Sequence, residues 1–405
     1  MKFPPSTGII FLAVFLDLLG FGMVLPLMPL YAADPRFAAT PEQIGWLMAI
    51  YSLMQFLFAP WWGWLSDRMG RRPALIAGLI GSAISYLAYG MATSLWMLFA
   101  ARAAAGVMGA NIAVAQAALA DLSPPEERSR AMGLIGAAFG LGFILGPAFG
   151  GWLVRFGVEA APLGAALITG LNALAAVHYL PETRPAVRTH QTRLSHPILS
   201  LAPGGLARQY PGALTACLLM GLFVTLFSGF EVTLPLWGRD LLQWDMATVG
   251  WLFTYVGVVA VIVQGGILRH IVKAIGEKNT ALAGLLCVAG GLALLRPGGW
   301  PAILTAMGMI AIGSGLVHPS LSGLASLNTD PERQGVMLGV FQSMSALGRG
   351  IGPVLGGMAY SGMPTTLFLM TATGLLGVAL LLAALRRRMR DARSFCAPTR
   401  SPGAP

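Results

Sequence analysis

Five ionisable side chains stand inside stretches that are otherwise apolar: Asp17, Arg102, Glu231, His318 and Arg349. In hydrocarbon a charged side chain costs at least ~2.5 kcal/mol on insertion scales, so each needs a partner, a wet cavity or a functional reason. A buried acid can exchange a proton as its surroundings change, because burial and a nearby cation act on a carboxyl in opposite senses. Asp17 and Glu231 are therefore the candidate proton-coupling residues, with Arg102 and Arg349 as modulators. Arg102 lies roughly 12 Å inside one end of its stretch, and Asp17 roughly 15 Å inside the other end of its own. In a core ~30 Å thick these depths coincide. They predict that the two share one cavity, with a structural ion pair as the plainer alternative. Glu231 and Arg349 have the same alternative. His318, beside Pro319, reads as a structural or water-bonded histidine rather than a proton relay. Gln264, Tyr255 and Phe230 are assigned to the cavity by position on central stretches alone.

Three ordered strings surround these charges. Gly63-Trp-Leu-Ser-Asp67-Arg68-Met-Gly70-Arg71-Arg72 reads as a tight turn with one acid among several bases. Asp67 can face a helix N-terminus or pair with Arg71. A merely solvated basic loop would need only the arginines. The second string runs from Arg102 through Gly106 and Gly109 to Asp121. The third contains Gly142, Gly146, Pro147, Gly150 and Gly151. Its glycines at 142, 146 and 150 share a helix face, and Pro147 removes a backbone donor and permits a bend.

Composition tells which elements must position these groups. Hydrophobic residues make up 56% of 405 and charged residues 10%, where a soluble domain carries about 25% charged. The mean hydropathy is +0.71. Lipid is the expected solvent, and the 52 glycines suit closely packed membrane helices. A ruler of about 20 apolar residues marks spans at 7–30, 43–64, 74–92, 94–119, 131–153, 160–180, 212–237, 247–268, 279–296, 300–326, 335–358 and 364–385. Open strands cannot cross lipid, so these are helices. The first stretch, with Asp17 inside it, reads as a retained helix rather than a cleaved signal.

Other function classes find little support. The net charge of +10 comes from basic residues between apolar runs, so it marks topology and no nucleic-acid partner is expected. The three lysines, Lys2, Lys273 and Lys278, lie in no phosphate-binding loop. Cys217, Cys287 and Cys396 show no metal spacing. No cofactor, metal or catalytic set is expected.

With a cytoplasmic N-terminus, 20 of the 26 basic residues fall in inside segments and 4 outside, which places both termini in the cytoplasm. The halves also repeat. Gly146-Pro147 and Gly150-Gly151 match Gly352-Pro353 and Gly356-Gly357 at a shift of 206 residues, which also relates Gly133 to Gly339, Gly109 to Gly315 and Gly70 to Gly276. The expected organisation is a six-helix bundle over 1–180, a cytoplasmic linker at 181–211, a second bundle over 212–385 and a disordered basic tail at 386–405. Parallel halves around a central cavity are a transporter architecture.

The three strings, in this order, resemble those of the major facilitator superfamily, and specifically its twelve-span drug:proton antiporters. The second half carries degenerate copies, so the resemblance covers nearly the whole chain. Ser66-Asp67-Arg68-Met69-Gly70-Arg71-Arg72-Pro73, Ser94-Leu95-Trp96-Met97-Leu98, Phe139-Gly140-Leu141-Gly142 and the placement of Asp17 resemble the tetracycline:proton antiporter branch most. The resemblance implies that Asp67, Arg71 and Asp121 latch an outward-open state, that Arg102 tunes a membrane acid, and that Gly142 to Gly151 form a flexible antiport helix. The chain departs from that branch in span three, where Ser85 replaces an acid, and in span nine, where Cys287 stands near another acid's place. In span eight an apolar stretch around Ala260 replaces a histidine, with Gln264 retained.

The reading is an all-α membrane protein of two six-helix bundles related as parallel repeats. It is expected to be a proton-coupled antiporter, not an enzyme, exporting small amphipathic drug-like compounds, tetracycline-like ones included. Its partners are the small-molecule substrate, protons and the lipid bilayer of a bacterial-type inner membrane, and it is expected to be a monomer. The alternative is a metabolite, sugar or peptide carrier on the same fold, weakened for sugars by the few polar residues in the spans. A membrane enzyme or sensor lacks any Ser/His/Asp set or soluble domain to support it.

Overall fold

A computed structural model of the chain describes residues 5–109, 111–122, 128–183, 209–330, 334–363 and 366–385. The expected disordered tail at 386–405, and 184–208 of the expected linker, lie outside the described residues. Helix occupies all twelve expected stretches, and no strand occurs among the described residues. Among the described residues, eight helical runs are long and apolar enough to cross a bilayer. In α8 (Ala160–Tyr179), Leu163, Leu167, Leu171 and Leu174 recur every three or four residues and are all exposed. Such a stripe belongs against lipid rather than water.

Local chemistry explains where the helices stop. The first span is broken, not continuous to residue 30: α1 (Pro5–Val24) ends before Pro26, which has no backbone donor, and a short α2 (Met28–Ala32) follows. A capping box opens α3 (Pro41–Met69): the Gln43 N–H donates to Thr40 Oγ1 at 3.3 Å, and the Thr40 N–H donates to Gln43 Oε1 at 2.9 Å. Gly70, at φ 97°, separates α3 from α4 (Arg71–Gly90). Then come α5 (Leu95–Gly109), α6 (Asn111–Leu122) and α7 (Arg128–Leu153), which precede α8.

The later helices are α9 (Pro211–Leu242), α10 (Met246–Ile262), a π turn at Val263–Ile267, α11 (Leu268–Leu294), α12 (Trp300–Leu327), α13 (Gln334–Gly362) and α14 (Leu367–Leu385). Gly276 breaks α11 at φ 82° and ψ 165°, close to the 97° and 158° of Gly70. The two positions that the 206-residue shift relates therefore make the same break, in a region that glycine enters without steric cost.

The described residues group into two compact units. One takes those within Met1–His196, Val224–Val258 and Ala346–Leu367, the other those within Pro197–Phe223, Val259–Ser345 and Phe368–Pro405. In the first, Val14 and Leu18 of α1 meet Leu75 and Leu79 of α4 and Val114 and Leu119 of α6. Asn172 of α8 donates to the Ala13 carbonyl at 2.8 Å and ties α8 to α1. In the second unit, α11 packs on α12 through facing glycines. A Cβ at Gly284 would lie 2.8 Å from the Gly313 carbonyl oxygen. Without a hydrophobic drive between helices in lipid, such close van der Waals contact is what holds them.

Candidate functional site

Tyr51 of α3 lies within electrostatic reach of Arg102, Asp17 and Arg349. Gly106 and Gly109 of α5 let it approach: a Cβ at Gly106 would lie 2.9 Å from Tyr51 Cα, and one at Gly109 3.1 Å from its ring Cζ. Gln55 donates to the Gly109 carbonyl at 3.0 Å and the Trp62 indole to the Val107 carbonyl at 2.6 Å, which fixes α3 on α5. The Arg102 guanidinium then lies over the Tyr51 ring, 4.5 Å from its centroid. Tyr89 and Tyr86 also lie within electrostatic reach of Arg102.

Asp17 is half-buried and lines a void of about 10 Å³, with Val14 of its own helix, Leu75 and Leu79 of α4 and Ala115 of α6. That is room for about one water. Tyr51 and Tyr86 lie within electrostatic reach of both Asp17 and Arg102, but no ion pair joins Asp17 to Arg102. Glu231 of α9 and Arg349 of α13 reach each other electrostatically, again without an ion pair, and Arg349 reaches Tyr51. The structure thus gathers Asp17, Arg102 and Arg349 about one tyrosine that the sequence did not single out, with Glu231 reached through Arg349. A tyrosine in an apolar helix carries no local anomaly.

The other expected cavity residues are placed as follows. Phe230 is buried beside Phe227, ring centroids 5.9 Å apart, and Tyr255 is half-buried in α10. Gln264 is exposed within the π turn, in the second unit. Single π turns occur often at functional sites. His318, also in the second unit, is exposed and stands edge-on to Phe341 at 5.6 Å.

At the turn between α3 and α4, Arg71 is buried and donates from Nε to Asp121 Oδ2 at 3.0 Å and from Nη1 to Ser66 Oγ at 2.6 Å. Ser66 in turn donates to the Gly63 carbonyl at 2.8 Å. The side chain of Asp67 lies outside the described residues. Glu182 takes a place that the sequence did not suggest. It accepts the backbone N–H of Arg71 at 2.9 Å and of Arg72 at 3.2 Å. A carboxylate there satisfies orphan donors and faces the positive end of α4. The one signal was an acid, in Pro181-Glu182, directly after the sixth span.

The glycine face of α7 meets α1. A Cβ at Gly142 would lie 2.9 Å from the Leu18 carbonyl carbon, and one at Gly146 2.7 Å from Gly22 Cα. Gly151 faces α10 instead, 3.2 Å from Gly250 Cα by the same construction, and the Pro147 carbonyl also faces Gly250. Beyond the spans, Arg36 bonds Asp34 at 3.0 Å and reaches Glu159. Burial pushes the Asp34 carboxyl up, but the Arg36 hydrogen bonds and charge together hold it below the usual range. Among the described residues no cluster of three or more His, Cys, Asp or Glu is placed to hold a metal.

A family model described as Major Facilitator Superfamily matches residues 10–353 and 242–405. The chain is 33% identical over 372 residues to the class C tetracycline resistance protein of Escherichia coli, covering 90% of this chain and 92% of the other. It is 30% identical over 401 residues to major facilitator superfamily domain-containing protein 10 of Bos taurus, covering 87% and 86%. The crystal structure of the human organic anion transporter of that name superposes with a TM-score of 0.70 at 27% identity, covering 94% of this chain and 100% of that one.

Proposed function

The chain belongs to the major facilitator superfamily, and from that membership we propose that it is a proton-coupled antiporter that exports small amphipathic compounds, tetracycline-like ones among them. The observation that carries this reading is the array at Tyr51: Asp17, Arg102 and Arg349 about its ring and Glu231 beyond Arg349, all in apolar helices, with neither acid held in an ion pair among the described residues. A structural role would pair such charges, since an unpaired buried charge is costly. A transport role needs an acid free to take and release a proton. Asp17 and Glu231 fill that role, and Arg102 and Arg349 set how readily each gives up its proton.

In this reading the chain sits in a bacterial-type inner membrane as a monomer, with both termini in the cytoplasm, and residues 1–180 and 212–385 rock as two bundles around the array. The Arg71–Asp121 pair is the cytoplasmic latch, with Asp67 as its further member. Gly142, Gly146, Pro147, Gly150 and Gly151 are the antiport helix. Tyr255 faces the substrate path.

The test is tetracycline uptake into everted vesicles under an imposed pH gradient. Asp17→Asn and Glu231→Gln are each expected to abolish gradient-driven uptake while leaving exchange of bound for free substrate. Uptake that survives both substitutions together removes the mechanism.

A further inference from the structure

Arg102 is 2% exposed, yet its Nε and Nη2 have no hydrogen-bond partner among the described residues. A guanidinium stays charged and presents its N–H donors in a planar fork. Leaving donors of a charged group dry costs more than leaving those of a neutral one. The Tyr51 ring offsets part of that cost through its π face, but it offers no acceptor in the plane of the fork. Asp17 does not fill the gap, since it forms no ion pair with Arg102.

The same neighbourhood holds a second surplus. The Tyr89 hydroxyl, in a residue 2% exposed and within electrostatic reach of Arg102, also has no partner among the described residues. The Tyr31 ring packs against that of Tyr89 at 5.2 Å, and its own hydroxyl has Arg36 beside it. Native interiors leave few buried polar groups unpaired, and each such group needs its own explanation. Here the surplus gathers beside one cation, and all of its members can donate. The site lacks an acceptor.

We propose that Arg102 and the Tyr89 hydroxyl anchor the oxyanion of a planar aromatic substrate, either a carboxylate or an enolate, with the Tyr51 ring against its aromatic part. The planar fork matches two oxygens of one delocalised anion, as a point charge would not. Gly106 and Gly109 bring Tyr51 down over the guanidinium, which holds the ring and the cation side by side. That the ligand is cargo rests on the export reading; that it binds at Arg102 does not.

Equilibrium binding to the purified protein, with no proton gradient, tests this with two probes that differ only in charge: 2-naphthoate and 2-naphthamide. The acid is expected to bind about tenfold tighter, ~1.4 kcal/mol. Arg102→Gln should erase that preference by weakening the acid alone, and Arg102→Lys should keep part of it. Tyr89→Phe removes one oxygen from a packed ring and keeps the test available if Arg102→Gln does not fold. It should lower the preference severalfold and leave naphthamide unchanged. The anchor is wrong if the acid does not bind, if acid and amide bind alike, or if an Arg102→Gln protein weakens both equally. Gradient-driven flux without an acid preference would sink the anchor and spare the antiporter; an acid preference without such flux would do the reverse.

Discussion

Asp245 closes the turn before α10 by accepting the Thr248 backbone N–H at 2.8 Å. Hydrogen bonds from the Thr248 side chain and backbone hold its carboxyl below the usual range. A depressed folded-state value contributes stability that is present above the unfolded value, about 3.9, and is lost as pH falls through the folded one. Thermal unfolding in detergent should therefore show a contribution that is constant from neutral pH down to the unfolded value and disappears below it. Asn caps as well as Asp, so Asp245→Asn should keep the neutral-pH midpoint and lose the acid dependence, while Asp245→Ala should cost about 1 kcal/mol at neutral pH. Glu182 makes a stronger case for reading structure beside sequence. Its replacement by Ala frees the Arg71 and Arg72 N–H groups and should cost ~0.5–2 kcal/mol, again read as unfolding midpoint. Charges in apolar runs, such as Arg102 and Glu231, were legible because lipid makes them anomalous. Glu182, an acid in a polar segment, was not, because its meaning lies in a partner 111 residues away.

Helix ends and helix contacts follow glycine and proline more closely than any other feature. Pro26 breaks the first span and Gly70 and Gly276 set two matching breaks, all readable as residue types, yet only the backbone shows that the two glycines adopt the same conformation. The glycine face of α7 was legible from its spacing, but the choice of α1 as its partner was not, because periodicity names a face and not what meets it. That partner gives a direct prediction. At Gly146 an added methyl would lie 2.7 Å from Gly22 Cα and 2.8 Å from Met23 N, both backbone atoms that cannot swing aside. Gly146→Ala should therefore force α1 and α7 apart at a cost of ~1–3 kcal/mol. Gly265, inside the π turn with nothing within 4 Å of a built Cβ, is the control. Gly265→Ala should leave the midpoint within ~0.5 kcal/mol. Equal losses in both would show that helix flexibility, not contact with α1, decides the effect.

At the scale of the whole molecule, the all-helical fold and its internal repeat were legible because lipid permits few alternatives and because one shift relates several glycines. How α3 and α13 meet was not legible, since it depends on packing between segments more than 300 residues apart in sequence. Those helices approach backbone to backbone at the end holding Pro41. A Cβ at Gly45 would lie 3.0 Å from the Pro353 carbonyl carbon, and one at Gly357 2.9 Å from that of Pro41. Glu42, at the start of α3, lies within reach of Ser361, near the end of α13. If transport alternates between faces, this seam must part once per cycle, and tying it shut should hold the protein with one face closed. The pair Glu42→Cys and Ser361→Cys, joined by a short bis-thiol reagent in a protein whose Cys217, Cys287 and Cys396 are replaced, tests that directly. Joining should cut gradient-driven uptake at least about tenfold, equivalent to ~1.4 kcal/mol on the rate-limiting barrier, and reductant should restore it. Equilibrium binding of substrate from the opposite face should persist, since the array about Tyr51 stays intact. Uptake that continues with the two cysteines joined would mean that α3 and α13 stay together through the cycle, and that the moving seam lies elsewhere.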